Sequence, residues 1–178
     1  MASRIFLPIA FLMTTVLIVA AACSTDPDVS SVASQVRTTA APQNPRFLAS
    51  DLPLLPVGIE RGARPLSMMH AAYEFAARHP EVMKFVPCFC GCEQGGHKDN
   101  HDCFVSGRDA AGKVTAWEPH GVGCQICVDV ATQAWQMHNT GATVAAIRDA
   151  IEKKYADRTA SGLHTPTPLP KRGGMSHD

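Results

Sequence analysis

Residues 87–92 read PCFCGC, and this stretch sets the character of the whole chain. Pro87 and Gly91 disfavour a regular helix here. In an extended backbone, residues two apart project to the same side. The sequence therefore predicts that three sulfur atoms face a common point, those of Cys88, Cys90 and Cys92.

A second cysteine-rich stretch, HGVGCQIC, occupies residues 120–127. Cys124 and Cys127 stand three apart at the start of a predicted helix, so they share one helical face. Unpaired backbone amides and the positive end of the helix dipole favour thiolate over thiol at that position. Other donors lie between or beside the two stretches: His97, His101, Cys103 and His120.

Sulfur and imidazole ligands suit zinc, Cu(I) or an iron–sulfur cluster, whereas magnesium and calcium prefer oxygen. The spacing is not that of a zinc finger, and no histidine follows the CxxC, which argues against covalent c-type haem. We therefore expect a soft transition metal, copper or zinc ahead of an iron–sulfur cluster. The predicted ligands are Cys88, Cys90, Cys92, His97, Cys103, His120, Cys124 and Cys127.

The six cysteines after Cys23 also permit three disulfides, as an exported chain would favour. Residues two apart pair only with strain, which weighs against a bridge within the PCFCGC stretch. One disulfide plus a metal is compatible with the sequence, and a disulfide-stapled interaction module is the main alternative. A thiol–disulfide oxidoreductase using Cys124 and Cys127 is a weaker one, because no strand–helix–strand framework surrounds them. No catalytic residue is assigned.

The fold class expected for residues 65–157 is mainly α, a small helical domain with a cysteine-rich irregular centre. Apolar residues spaced by three and four from Met68 to Ala76 predict one helix, stopped near Pro80. A second helix is expected over about residues 123–139, and a third after Thr143 as N-cap. A short β-hairpin is expected to pair residues 104–105 with 114–117.

The N-terminus has the order of an export signal, with Arg4 followed by an apolar run that ends in VAAAC at Cys23. This resembles the lipobox of bacterial lipoproteins, in which the cysteine is acylated. An ordinary cleaved signal or a retained helix is the alternative. The predicted organisation is a signal peptide (1–22), a lipidated N-terminus and flexible tether (23–64), the domain (65–157) and a disordered tail (158–178).

Charge adds little to the expected partners. Lys plus Arg and Asp plus Glu number 16 each, which gives no electrostatic reason to bind nucleic acid. The expected partners are a membrane, through lipid on Cys23, a metal ion and an envelope metal-handling protein. The expected location is outside the cytoplasm, on the bacterial cell envelope.

PCFCGC, GGH, DCF and HGVGCQIC together resemble the bacterial lipoproteins named for a PCYCGC motif, a family without an established biochemical role. The likeness covers roughly residues 65–155 and includes the lipobox-like start. Phe89 replaces the tyrosine of the motif's name, which changes no donor atom. By this resemblance the eight predicted ligands fall on motif positions.

Overall fold

The structure is a computed structural model that describes residues 44–170. This part of the chain is mainly α, as predicted, with an irregular cysteine-rich centre and one small hairpin. The helices are α1 (Leu66–Arg78), α2 (Pro80–Met83), α3 (His120–Gly123), α4 (Gln125–Asn139), α5 (Val144–Lys154) and α6 (Ala156–Ala160). The strands are β1 (Val105–Arg108) and β2 (Val114–Trp117), and 3₁₀ turns cover Ile59–Arg61, Cys92–Gly95 and His101–Cys103.

Helix α1 forms the base of the core. Met69, Ala72, Tyr73 and Ala76 follow the predicted spacing of three and four, and all four are fully buried. The helix ends at Arg78 because Pro80 cannot continue it and instead starts α2 in the first-turn position where proline is tolerated. The prediction for this helix is confirmed.

Helix α4 lies between α1 and α5 and packs against both. Gly141, with φ of 82°, follows α4 in the left-handed conformation that glycine adopts readily. Thr143 then caps α5, its hydroxyl accepting a hydrogen bond from the Ala146 amide at 3.2 Å. Ile147 and Ile151 of α5 are fully buried, so this helix contributes to the core as the sequence predicted.

The hairpin covers one flank of α1. Strands β1 and β2 pair antiparallel, with Val105 opposite Trp117. Tyr73 of α1 meets the rings of Phe104 and Trp117 edge-on, with centroids 5.0 and 5.5 Å away. Its hydroxyl donates to the Glu118 carbonyl at 2.9 Å. These contacts fix the chain that leads from β2 into α3, and therefore the start of the second cysteine stretch.

The folded unit includes residues before 65, within the range 23–64 that the sequence assigned to the lipidated N-terminus and tether. Leu55 and Ile59 are fully buried in the core. The Trp117 indole donates to the Pro53 carbonyl at 3.0 Å, and a ring nitrogen of His70 lies 2.7 Å from the Pro45 carbonyl oxygen. Burial of apolar side chains holds this proline-rich segment without any helical period.

Residues 158–170 also differ from the predicted disordered tail. The last turn of α6 leads into an extended strap, residues 163–167, in which Thr165 is 1% exposed. The hydroxyl and the backbone amide of Thr165 form hydrogen bonds with the PCFCGC loop, so these buried polar groups have partners. Because the partners are far away along the chain, the local sequence does not predict these bonds.

The predicted signal peptide, the lipidation site Cys23 and the first part of the tether lie outside the described residues, as do residues 171–178. Among residues 44–170, no helix has the length and apolar character needed to cross a membrane.

Candidate metal centre

The sulfurs of the two cysteine stretches meet in one cluster. The Sγ atom of Cys88 lies 3.5 Å from that of Cys90 and 3.3 Å from that of Cys127, and Cys90 and Cys127 are 3.6 Å apart. Cys103 joins from the intervening loop, with its Sγ 3.7 Å from that of Cys92. The residues from two distant parts of the chain therefore converge as the spacing predicted.

These separations match donors around a metal and not disulfide bonds. All six cysteines between residues 88 and 127 are free, and a disulfide would bring two sulfurs to about 2.05 Å. Thiolates around a tetrahedral zinc ion, each at about 2.3 Å from the metal, stand roughly 3.8 Å apart. The observed spacing of 3.3–3.7 Å is close to that value.

Two histidines complete the cluster. Nε2 of His120 lies 3.5 Å from Cys90 Sγ, and Nδ1 of His97 lies 3.5 Å from Cys103 Sγ. Burial lowers the pKa of His120, but its hydrogen bond to Cys90 and the neighbouring thiolates outweigh this and raise the pKa overall. The structure thus brings together all eight residues predicted as ligands.

The donor atoms form overlapping groups in which every pair lies within 4.8 Å. These groups share members, so the eight residues make one continuous set of donors. The groups are Cys90, His120, Cys124 and Cys127; Cys92, His97 and Cys103; Cys88, Cys90 and Cys92; and Cys88, Cys103 and Cys127.

The PCFCGC loop takes its shape from Gly91, which adopts φ of 88° and so starts the 3₁₀ turn Cys92–Gly95. A side chain at this φ would be strained. The turn reverses the chain after Cys90, which lets Cys92 point toward Cys103 while Cys88 and Cys90 point toward α4.

The strap fastens this loop from outside. The Cys88 amide donates to the Thr165 hydroxyl at 2.8 Å, and the Thr165 amide donates back to the Cys88 carbonyl at 2.9 Å. Arg158 donates to the Phe89 carbonyl, and the Thr167 hydroxyl donates to the Lys98 carbonyl at 2.7 Å. The strap and Arg158 of α6 therefore fix the backbone at Cys88 and at two points after it.

Asn100 and Gly121 position the other donors. The backbone amide of the buried Asn100 donates to the Val86 carbonyl at 2.8 Å, and its side-chain amide donates to the Cys127 carbonyl at 3.4 Å. These two bonds tie the loop to α4. At Gly121 an added Cβ would lie 2.7 Å from the Phe104 ring. Only glycine lets α3, which carries His120, approach the cluster this closely.

The start of α4 presents the CxxC pair as predicted. Cys124 is the extended N-cap residue, with φ of −110° and ψ of 105°, and Cys127 lies in the first turn. Because the first amides of a helix lack intrahelical partners and carry the positive end of its dipole, they stabilise negative charge on nearby sulfur.

The cluster has a buried floor and an open rim. Cys88, Cys103 and Cys127 are inaccessible to solvent and Cys92 is 6% exposed. Cys90, Cys124 and His97 are half-buried, and His120 is exposed. An ion can therefore enter from the His120 side while the sulfurs of the floor stay shielded.

Hydrogen bonds among the sulfurs favour ionisation of the PCFCGC cysteines. The bond with Cys103, followed by that with Cys127, lowers the pKa of Cys88 to about 4 and of Cys92 to about 3. The pKa of Cys90 is also lowered, chiefly by Cys103. The loop is therefore the thiolate side of the cluster, ready to accept a cation.

The remaining cysteines hold their protons more firmly. Hydrogen bonds to Cys103 and Cys124 raise the pKa of Cys127. For Cys124 the bond with Cys127 lowers the pKa, but the bond with Cys90 and burial raise it overall to about 11. A metal that uses all the sulfurs must displace these protons.

His101 does not join the sulfur cluster, although the sequence placed it among the local donors. It is buried beside Asp99 and Asp102, and Arg108 lies 3.1 Å from its Nε2. Burial lowers the pKa of His101 and raises that of Asp99 to about 6. This group stabilises the turn His101–Cys103 that carries Cys103 into the site.

Sequence reasoning missed the residues that position the site. Thr165 and Thr167 alternate with prolines in HTPTP, residues 164–168, and that period of two was the available signal for an extended strap. Asn100 and Arg158 gave no signal, because their role depends on backbone groups far away along the chain.

Comparison with known protein families gives one match, to a family model described as a protein of unknown function with PCYCGC motif, over residues 11–170. No curated protein and no solved structure matches the chain.

Proposed function

The chain belongs to the family of proteins of unknown function with a PCYCGC motif, and we propose that it is an exported lipoprotein that binds copper or zinc. Lipid on Cys23 tethers it to a membrane of the bacterial cell envelope. The protein stores the metal, buffers its concentration or passes it to an envelope metal-handling protein.

The observation that carries the proposal is the convergence of six free cysteines and two histidines on one cluster. Free cysteines pack in a core much as small apolar side chains do. Packing alone therefore does not explain why so many sulfurs that form no disulfides are buried together. The donor set suits a soft ion, since thiolate selects zinc and Cu(I) over oxygen-preferring cations.

The arrangement of floor and rim supports handling of the metal beyond simple structural use. Here His120 is exposed and Cys90 and Cys124 are half-buried, so an acceptor protein can reach part of the donor set. A second protein could then take the ion by exchanging ligands one at a time.

Metal content of the full chain, purified gently under nitrogen, tests the proposal. We expect bound zinc or copper by elemental analysis, and six cysteines that alkylate without prior reduction once a chelator removes the metal. A metal-free protein with three intact disulfides would instead support the disulfide-stapled interaction module. Replacing His164, an exposed histidine outside the donor groups, gives a control that should keep the metal.

The lipid anchor needs its own test, with Cys23→Ser. In a bacterial host the original chain should incorporate labelled palmitate and sediment with membranes, whereas the variant should do neither. Because Cys23 is not one of the eight proposed ligands, metal content should not change. Retention of the variant in membranes would show that the uncleaved apolar segment before Cys23, not lipid, is the anchor.

A further inference from the structure

The cluster offers more donors than one ion can use. A tetrahedral zinc ion takes four ligands, whereas eight side chains meet here, all in overlapping groups with donor atoms within 4.8 Å of one another. A single ion would leave four of them without a metal, and at least two of those would be buried or half-buried cysteines.

One group of four, on the open side, has as many donors as a tetrahedral ion requires. Cys90, His120, Cys124 and Cys127 have all their donor atoms within 4.8 Å of one another. Nε2 of His120 faces this group, 3.5 Å from Cys90 Sγ. This outer set contains three sulfurs and one nitrogen, which is a known ligand set for zinc.

The remaining four residues form a second set with the same composition. Cys92, His97 and Cys103 have their donor atoms within 4.8 Å of one another. Cys88 Sγ lies within the same distance of Cys92 Sγ in one group and of Cys103 Sγ in another, so Cys88 joins this set through its two cysteines and not through His97. This inner set also holds three sulfurs and one nitrogen, here Nδ1 of His97.

The two sets touch. Cys88 Sγ of the inner set is 3.3 Å from Cys127 Sγ of the outer set, and the rings of His97 and His120 are 5.2 Å apart. They differ in exposure, because the three cysteines of the inner set are all buried, whereas only Cys127 is buried in the outer set.

From this geometry we propose, building on the metal-binding function above, that the protein holds two zinc ions in adjacent Cys₃His sites. The inner ion, on Cys88, Cys92, His97 and Cys103, is retained and stabilises the fold. The outer ion, on Cys90, His120, Cys124 and Cys127, exchanges with solvent and with acceptors. The fold thus combines a structural site with an exchangeable one.

Native mass spectrometry of the reduced full chain, titrated with Zn²⁺ alone, tests the stoichiometry. We expect saturation at two ions, and one ion in each of the matched variants Cys124→Ser and Cys92→Ser. His164→Ala should still bind two. If Cys92→Ser does not fold, His97→Ala removes one inner donor without placing a new polar group in the buried floor, and this variant should still bind two ions but hold one of them less tightly.

Exchange kinetics test the division of roles. With a chromophoric chelator in excess, zinc should leave the full chain in two phases of equal amplitude, the faster at least tenfold quicker. His120→Ala should accelerate only the fast phase, and His97→Ala only the slow phase. A single phase, or both phases changed by either variant, would refute separate sites.

The outcomes also separate this inference from the proposed function. One zinc ion per chain, or a copper cluster with no saturable zinc, would overturn the two-site inference and leave the metal-binding function standing. No metal under any condition would overturn both.

Discussion

Replacing Thr165 with valine removes one hydroxyl from the strap while preserving the shape of the side chain. Thr165 is 1% exposed, and its hydroxyl is the acceptor for the amide of the fully buried Cys88, at 2.8 Å. Without it that amide has no partner, and an unsatisfied buried donor costs about 1–3 kcal/mol. The hydroxyl of the neighbouring Thr167 still donates to the Lys98 carbonyl after this change. Thr167 therefore adds little to the loss of stability.

We therefore expect Thr165→Val to lower the free energy of unfolding by about 1–3 kcal/mol. Urea titration of the zinc-free, fully reduced chain, followed by far-ultraviolet circular dichroism, measures this. Thr159→Val is the matched control, because the Thr159 side chain is exposed on α6, and surface substitutions usually stay within about 0.5 kcal/mol. Equal stability of the two variants would show that the strap does not hold the PCFCGC loop.

Three further perturbations follow from the structure. Gly121→Ala places a Cβ 2.7 Å from the Phe104 ring and should lower the free energy of unfolding by about 1–3 kcal/mol. Gly123→Ala, where an added Cβ meets nothing within 4 Å, is the control and should lower it little. Equal effects of the two changes would contradict the close approach of α3 to Phe104. Because the raised pKa of Cys124, about 11, keeps this thiol protonated at neutral pH, zinc binding should release protons in calorimetry across buffers, and affinity should rise with pH. A pH-independent affinity would refute the role of the Cys124 thiol as a donor. Deletion of residues 158–178 should destabilise the protein and weaken zinc binding in chelator competition, and an unchanged affinity would show that the strap is dispensable.

Much of the fold was predictable because its helices obey local rules. The spacing from Met69 to Ala76, the proline stop at Pro80 and the Thr143 cap each depend on residues within one or two turns. The hairpin was predictable for the same reason, since two short apolar runs flank a turn.

The parts that sequence reasoning missed depend on distant partners. Residues 44–64 and 158–167 are rich in proline and polar residues, a composition typical of linkers, yet Leu55 inserts into the core and Thr165 bonds to Cys88. No local period signals such contacts. Their order comes from buried surface and satisfied backbone groups that only the tertiary structure provides.

For the candidate site, the convergence of the donor residues was predictable, but their division into two sets was not. Alternating cysteines and a CxxC at a helix start predicted convergence of sulfurs, and the structure brings them together. Sequence could not divide eight donors into two sets, because that division depends on the 3₁₀ turn after Gly91, which separates Cys92 from Cys90. His101 is the opposite case. It is close in sequence to the cluster residues, but in the fold it lies beside the carboxylates of Asp99 and Asp102.

X-ray absorption at the metal edge of the zinc-loaded full chain tests most directly whether these sulfurs are metal donors. We predict, for each ion, an average of three sulfur ligands at about 2.3 Å and one nitrogen at about 2.0–2.1 Å. A shell of oxygen and nitrogen alone, with the cysteines free to alkylate in the presence of the metal, would contradict it.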